Sequence, residues 1–78
     1  MATSLSYPAI VYLNDGLYEA IFLDFKNCYG TGYTLKEVWQ SAHQSLKTQL
    51  EHGLLVPSPT PLEEIKLPEG TFLLLVEV

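Results

Sequence analysis

Between Phe22 and Glu37 the chain reads Phe-Leu-Asp-Phe-Lys-Asn-Cys-Tyr-Gly-Thr-Gly-Tyr-Thr-Leu-Lys-Glu. A strand ends in a polar loop, a short second strand carries two glycines, and a helix start follows at once. The start is Thr34: its hydroxyl can accept from the amide of Glu37, and the Glu37 carboxylate can reach back, the reciprocal arrangement of a capping box. The order strand, loop, strand, helix leaves few arrangements for the remaining residues.

The chain has 78 residues, enough for one domain around one small core. At 47% hydrophobic and 17% charged it is not a disordered composition. A core of this size is marginal alone, so self-association or a partner is expected. The net charge is −5, and the four basic residues, Lys26, Lys36, Lys47 and Lys66, are scattered. Nucleic-acid binders present a basic face or stripe, so no direct nucleic-acid contact is expected; the acidic balance suits a basic protein partner. Cys28 is the single cysteine, which excludes an intrachain disulfide and reads as intracellular. The opening Met-Ala-Thr-Ser-Leu-Ser lacks the basic-then-apolar pattern of a signal peptide, and no apolar run is long enough for a bilayer. The expected location is the cytoplasm, with no membrane contact.

Tyr7–Leu13, rich in β-branched and aromatic residues, predicts the first strand, with Pro8 near its beginning. Asn14-Asp15-Gly16 is a hairpin signal, because these residues readily supply positive φ. Leu17–Leu23 is the return strand, and Cys28–Gly32 a short third strand weakened by Gly30 and Gly32. From Leu35 to about Glu51 the helical period holds, with Leu35, Val38, Trp39, Ala42, Leu46 and Leu50 on one face. Gly53 stands where a left-handed C-terminal cap belongs. Ser41 falls among the polar residues of the opposite, solvent-facing side. Thr60-Pro61-Leu62-Glu63 predicts a second, smaller helix of one or two turns with Thr60 as cap. Pro68-Glu69-Gly70 is a turn, and Phe72–Val78 the last strand.

The first and last strands are apolar on both sides, since side chains alternate: Ala9, Val11 and Leu13 oppose Ile10 and Tyr12, and Phe72, Leu74, Val76 and Val78 oppose Leu73 and Leu75. One long helix covers one face of a sheet. The second face, or the edge of the last strand, needs another cover, and a second copy of the chain is the simplest. Phe72, Leu73, Leu74, Leu75 and Val76 are the residues expected there, in a homodimer or homotetramer.

Enzyme chemistry has little footing. His43 and His52 are not at the i, i+4 spacing of a helical metal pair; His43 reads as a half-buried flank residue and His52 as a C-terminal residue favoured by the helix dipole. Cys28 reads as a packing thiol. Gly30-Thr-Gly-Tyr-Thr-Leu35 lacks the lysine and hydroxyl of a phosphate loop. No cofactor, metal or catalytic residue is expected.

The segment from Phe22 onward resembles the HicB family of antitoxins, where a typical stretch runs F-P-D-L-P-G-C-F-T-Q-G-D-T-L-E-E-A. Phe22, Asp24, Cys28, Gly32, Thr34, Leu35 and Glu37 stand at matching positions, while Leu23, Lys26 and Asn27 replace two prolines and a glycine. Tyr7-Pro8, the Asp15-Gly16 turn, the prolines after the helix and the final strand follow the family layout. The resemblance implies a truncated ribonuclease-H-like domain and an antitoxin that occludes a small basic HicA-type toxin, itself a ribonuclease that cleaves messenger RNA through a histidine. A catalytic carboxylate set of the complete fold is not expected: the first strand carries only apolar and tyrosine side chains, and Glu37 and Glu77 are poorly placed for two-metal work. The acidic residues Asp15, Glu19 and Asp24 are read as a cluster that a basic toxin would meet, with Phe25 and Tyr29 beside Asp24. The alternative is a stand-alone domain of the same kind acting as an oligomeric adaptor. One domain over residues 1–78 is expected, without the C-terminal DNA-binding module that many family members carry. The expected fold is α+β, β-β-β-α-β, an antiparallel meander with one covering helix and strand order 3-2-1-4, the fourth strand parallel to the first.

Overall fold

The structure, a computed structural model, describes residues 5–53 and 56–77. Strands β1 (Ser6–Asn14), β2 (Leu17–Phe22) and β3 (Tyr29–Gly32) form a meander, helix α1 (Leu35–His52) crosses it, a single 3-10 turn spans Leu62–Glu64, and β4 (Phe72–Glu77) closes the sheet. The strand order is β3-β2-β1-β4, as expected. Val78, assigned above to the last strand, lies outside the described residues.

Local chemistry sets the turns. Asp15 and Gly16 adopt φ of 54° and 82°, so the β1–β2 hairpin closes through two left-handed residues with Asn14 opposite Leu17. Asn27 has φ of 58°. Asparagine is among the few non-glycine residues that tolerate this region, so its standing where the HicB pattern has glycine keeps the backbone path open. At the helix start the Glu37 amide donates to Thr34 Oγ1 at 3.1 Å, and Glu37 Oε1 accepts from the amide of Tyr33 at 2.9 Å, one residue further back than a reciprocal box requires. At the other end Gly53 has φ −82° and ψ 145°. This corrects the left-handed cap expected there: the chain leaves the helix extended, in a conformation open to any residue.

The direction of β4 is also corrected. It pairs antiparallel to β1, Ser6 opposite Glu77 and Val11 opposite Phe72. A parallel fourth strand would have to begin where α1 ends. Residues 56–71 instead lie back along the sheet. Pro57 and Thr60 are held beside the start of β1 and the end of β2, where the Tyr7 hydroxyl donates to the Pro57 carbonyl at 2.6 Å and Asp24 accepts from the Thr60 amide at 3.1 Å. The segment then climbs to the hairpin end, where Gly70 (φ 82°) turns it into β4. Thr60 also donates its hydroxyl to Asp24, so it does not cap the following turn, whose N-cap is Pro61 without a side-chain bond.

The core is one layer between sheet and helix: Tyr7, Ala9, Val11, Ala20, Phe22, Cys28 and Val76 from the sheet side, Val38, Ala42 and Leu46 from the helix. The apolar stripe of α1 is narrower than its period suggests, since Leu35 is exposed and Trp39 lies on the flank, stacked on His43 with ring centroids 4.9 Å apart. Gly30 and Gly32 are not weak points of β3. A Cβ on Gly30 would stand 2.3 Å from the Ala42 amide nitrogen, and one on Gly32 2.4 Å from that of Val38. Glycine at both positions lets the helix backbone rest on the strand backbone, an approach no side chain allows.

Candidate interaction surface

The helix lies on one side of the sheet, and cross-strand register defines the other. Tyr29 sits opposite Ile21, Ile21 opposite Ile10, and Ile10 opposite Leu73. These four residues make an apolar row across every strand. Tyr29 is 58% exposed and Ile21 46%, whereas Ile10 is screened by its neighbours. Beside this row lie Pro8 opposite Leu75 on one side, and Tyr12, Glu19 and Thr31 on the other. Thus, among the described residues, the expected open apolar second face is present at Ile21, Tyr29 and Leu75, while Pro8 and Ile10 on the same side are buried.

Two shallow clefts cut this face, both bordered by Glu19 and Ile21. One, of about 350 Å³, is completed by Phe25, Asn27, Cys28 and Tyr29; the other, of about 300 Å³, by Tyr12, Leu13 and Asn14. Glu19 is half-buried between them, a carboxylate set among apolar groups and hydroxyl-bearing tyrosines. Such a surface, mostly apolar with one acidic group fixing orientation, fits a protein partner with a basic side chain at the matching point.

The expected contact residues separate on this frame. Glu19, Phe25 and Tyr29 come together around the larger cleft. Asp15 is at the hairpin tip and Asp24 beyond the opposite end of β2, so Asp15, Glu19 and Asp24 are strung along a strand rather than clustered. Both Asp24 oxygens already accept from Thr60, which makes Asp24 the anchor of the returning segment. Phe25 is half-buried, its ring 4.9 Å from Tyr7 and 6.4 Å from Phe22 in edge contacts. Burial first, and then the negative charge of Asp24, push the Tyr7 hydroxyl above the ordinary 10.0. Burial alone pushes the Cys28 thiol above 9.0, the direction of an inert packing group.

The β4 residues divide by face. Val76 is fully buried and Leu74 packs on the core, so their side chains serve this chain's own fold; Phe72 meets Tyr18 edge-on at 6.2 Å. Leu73 and Leu75 point to the open face, Leu75 46% exposed.

The two sheet edges are unlike. At β3 the Thr31 amide donates to Ser41 Oγ at 3.0 Å, and the Ser45 hydroxyl donates to the Tyr29 carbonyl at 2.7 Å. Ser41 and Ser45, one helical turn apart, close that edge with side chains. Sequence reasoning left Ser41 on the solvent side; the missed signal is a pair of serines at i, i+4 on the flank of a helix packed against glycines. No helix among the described residues is long and apolar enough to cross a membrane.

No family model matches this chain, and no curated protein matches it. Among solved structures, a chain of one described as a HicA3 and HicB3 toxin-antitoxin complex superposes with a TM-score of 0.64 over 92% of this chain and 95% of that one, at 21% identity. At that identity the likeness is one of fold: this chain has the architecture of a component of a toxin–antitoxin complex.

Proposed function

We propose that this chain is an antitoxin of the HicA/HicB type, built on a truncated ribonuclease-H-like domain, which binds a small basic, mRNA-cleaving toxin in the cytoplasm and neutralises it by occlusion. The observation that carries this reading is the fold shared, over nearly the whole of both chains, with a component of a toxin–antitoxin complex. The antitoxin side is supported by the net charge of −5 and by the open face centred on Glu19, Ile21 and Tyr29. Neither histidine lines the clefts: His43 is stacked on Trp39 and His52 ends α1. The carboxylates best placed by the family pattern, Asp24 and Glu37, are engaged in holding the chain's own backbone. The chain is therefore read as non-catalytic and, for want of a basic face, as not contacting nucleic acid itself. It self-associates as a dimer or tetramer.

A second reading, an oligomeric adaptor without a toxin, is favoured by the apolar row and the bare β4 edge, which suit self-assembly alone. Co-expression with the product of the neighbouring reading frame separates the two. An antitoxin binds that product and restores growth; a chain that neither binds nor rescues is not one.

A further inference from the structure

We infer that β4 is the self-association edge, pairing antiparallel with β4 of a second copy about a two-fold axis at Leu74. This rests on the self-association part of the reading above and not on the toxin.

The two edges of the sheet differ in how their backbone is protected. Sheet edges invite pairing with other chains, and folded proteins blunt them with lysines, prolines, bulges or a covering element. The β3 edge is blunted by Ser41 and Ser45. β4 reads Phe-Leu-Leu-Leu-Val-Glu, with no lysine and no proline, and among the described residues its only sheet partner is β1. A two-fold axis perpendicular to the sheet pairs residues of like face, so the register must centre on a residue. Centred on Leu74, Phe72 faces Val76 of the second copy, Leu73 faces Leu75, and Glu77 faces Thr71, which immediately precedes β4 and whose hydroxyl donates to the Pro68 carbonyl at 2.6 Å. The aromatic–β-branched and leucine pairs are favourable cross-strand neighbours. Centred on Leu73, Glu77 would face Glu69, two like charges; centred on Leu75, it would face Leu73. Leu74 is the register that sets no carboxylate against a carboxylate or a leucine. Both helices then lie on one side, and the two open faces join across eight strands.

Thr71 and Glu77 give a register-specific test. Light scattering at low salt, across a concentration series, is expected to give twice the chain mass. Thr71→Glu places a carboxylate opposite Glu77 at two symmetric points and weakens the dimer about tenfold; Thr71→Glu with Glu77→Lys restores it. A wild type that stays monomeric overturns the inference together with self-association. A dimer indifferent to both variants overturns the edge pairing alone and moves the interface to the open face. Should either variant fail to fold, amide exchange of wild-type β4 decides: protection of its outward amides rises with concentration if the inference holds and is unchanged if it does not.

Discussion

The two edges of this sheet were given opposite treatments by one helix. At β3, two glycines let α1 settle onto the strand, and two serines close the exposed backbone. At β4, the same helix packs far less closely: Val76 is fully buried beneath it, but no α1 side chain bonds to the β4 backbone among the described residues. The open face repeats the contrast: a row of large apolar residues lies where, among the described residues, no second α-helix covers it. A short chain with one long helix can finish one face and one edge. What it leaves unfinished is where its partners are to be sought.

The contrast breaks most violently at Gly30. Valine there drives its side chain into the Ala42 backbone, which neither the strand nor the helix can yield without separating. Gly30→Val is expected to lose at least about 3 kcal/mol of stability in a urea titration, whereas a valine tolerated at this position would mean that α1 does not rest on β3. Next in size are the open-face substitutions. Tyr29→Ala and Glu19→Lys are expected to weaken binding of the neighbouring frame's product by ten- to a hundredfold, roughly the range of interface anchors, with little change in melting temperature; equal affinity for wild type and variants, measured calorimetrically, would exclude this face. Smaller again, Ser45→Ala removes the donor to the Tyr29 carbonyl and is expected to cost about 1 kcal/mol, with faster amide exchange along β3 but not along β4.

The smallest effect is a pH dependence. Tyr7 is held neutral by burial and by Asp24, and Cys28 by burial, so both have folded pKa values above their unfolded ones. The native state therefore keeps protons that the unfolded chain releases, and that share of stability is present below the ordinary 9.0 of the thiol and 10.0 of the phenol and is lost as pH rises through the raised folded values. Stability should fall above about pH 9. Tyr7→Phe should flatten the steeper, higher part of that decline while losing the bond to Pro57; a decline unchanged in Tyr7→Phe would place its cause elsewhere.

Much of the architecture was legible because the signals were local. Asn14-Asp15-Gly16 specifies its hairpin, Thr34 with Glu37 begins its helix, and alternation in β1 and β4 announces a sheet apolar on both sides. The failures were non-local. The direction of β4 depends on Tyr7 and Asp24 holding Pro57 and Thr60, contacts between residues far apart in sequence. The glycines of β3 looked like weakness because their reason is the helix backbone above them. Ser41 looked solvent-facing because helical period alone does not say how far a strand edge extends beneath a flank. Of the expected contact residues, Glu19, Phe25 and Tyr29 share a cleft, while Asp24 has its partner within the chain.

The central claim is that the uncovered side of the sheet, not the helix, receives the partner. Amide chemical-shift mapping of this chain against the product of its neighbouring frame tests it directly. The expected result is broadening along Glu19, Ile21 and Tyr29, with Lys36, Gln40 and Lys47 on the outer side of α1 unmoved. Perturbation confined to α1, with the apolar row silent, would contradict it.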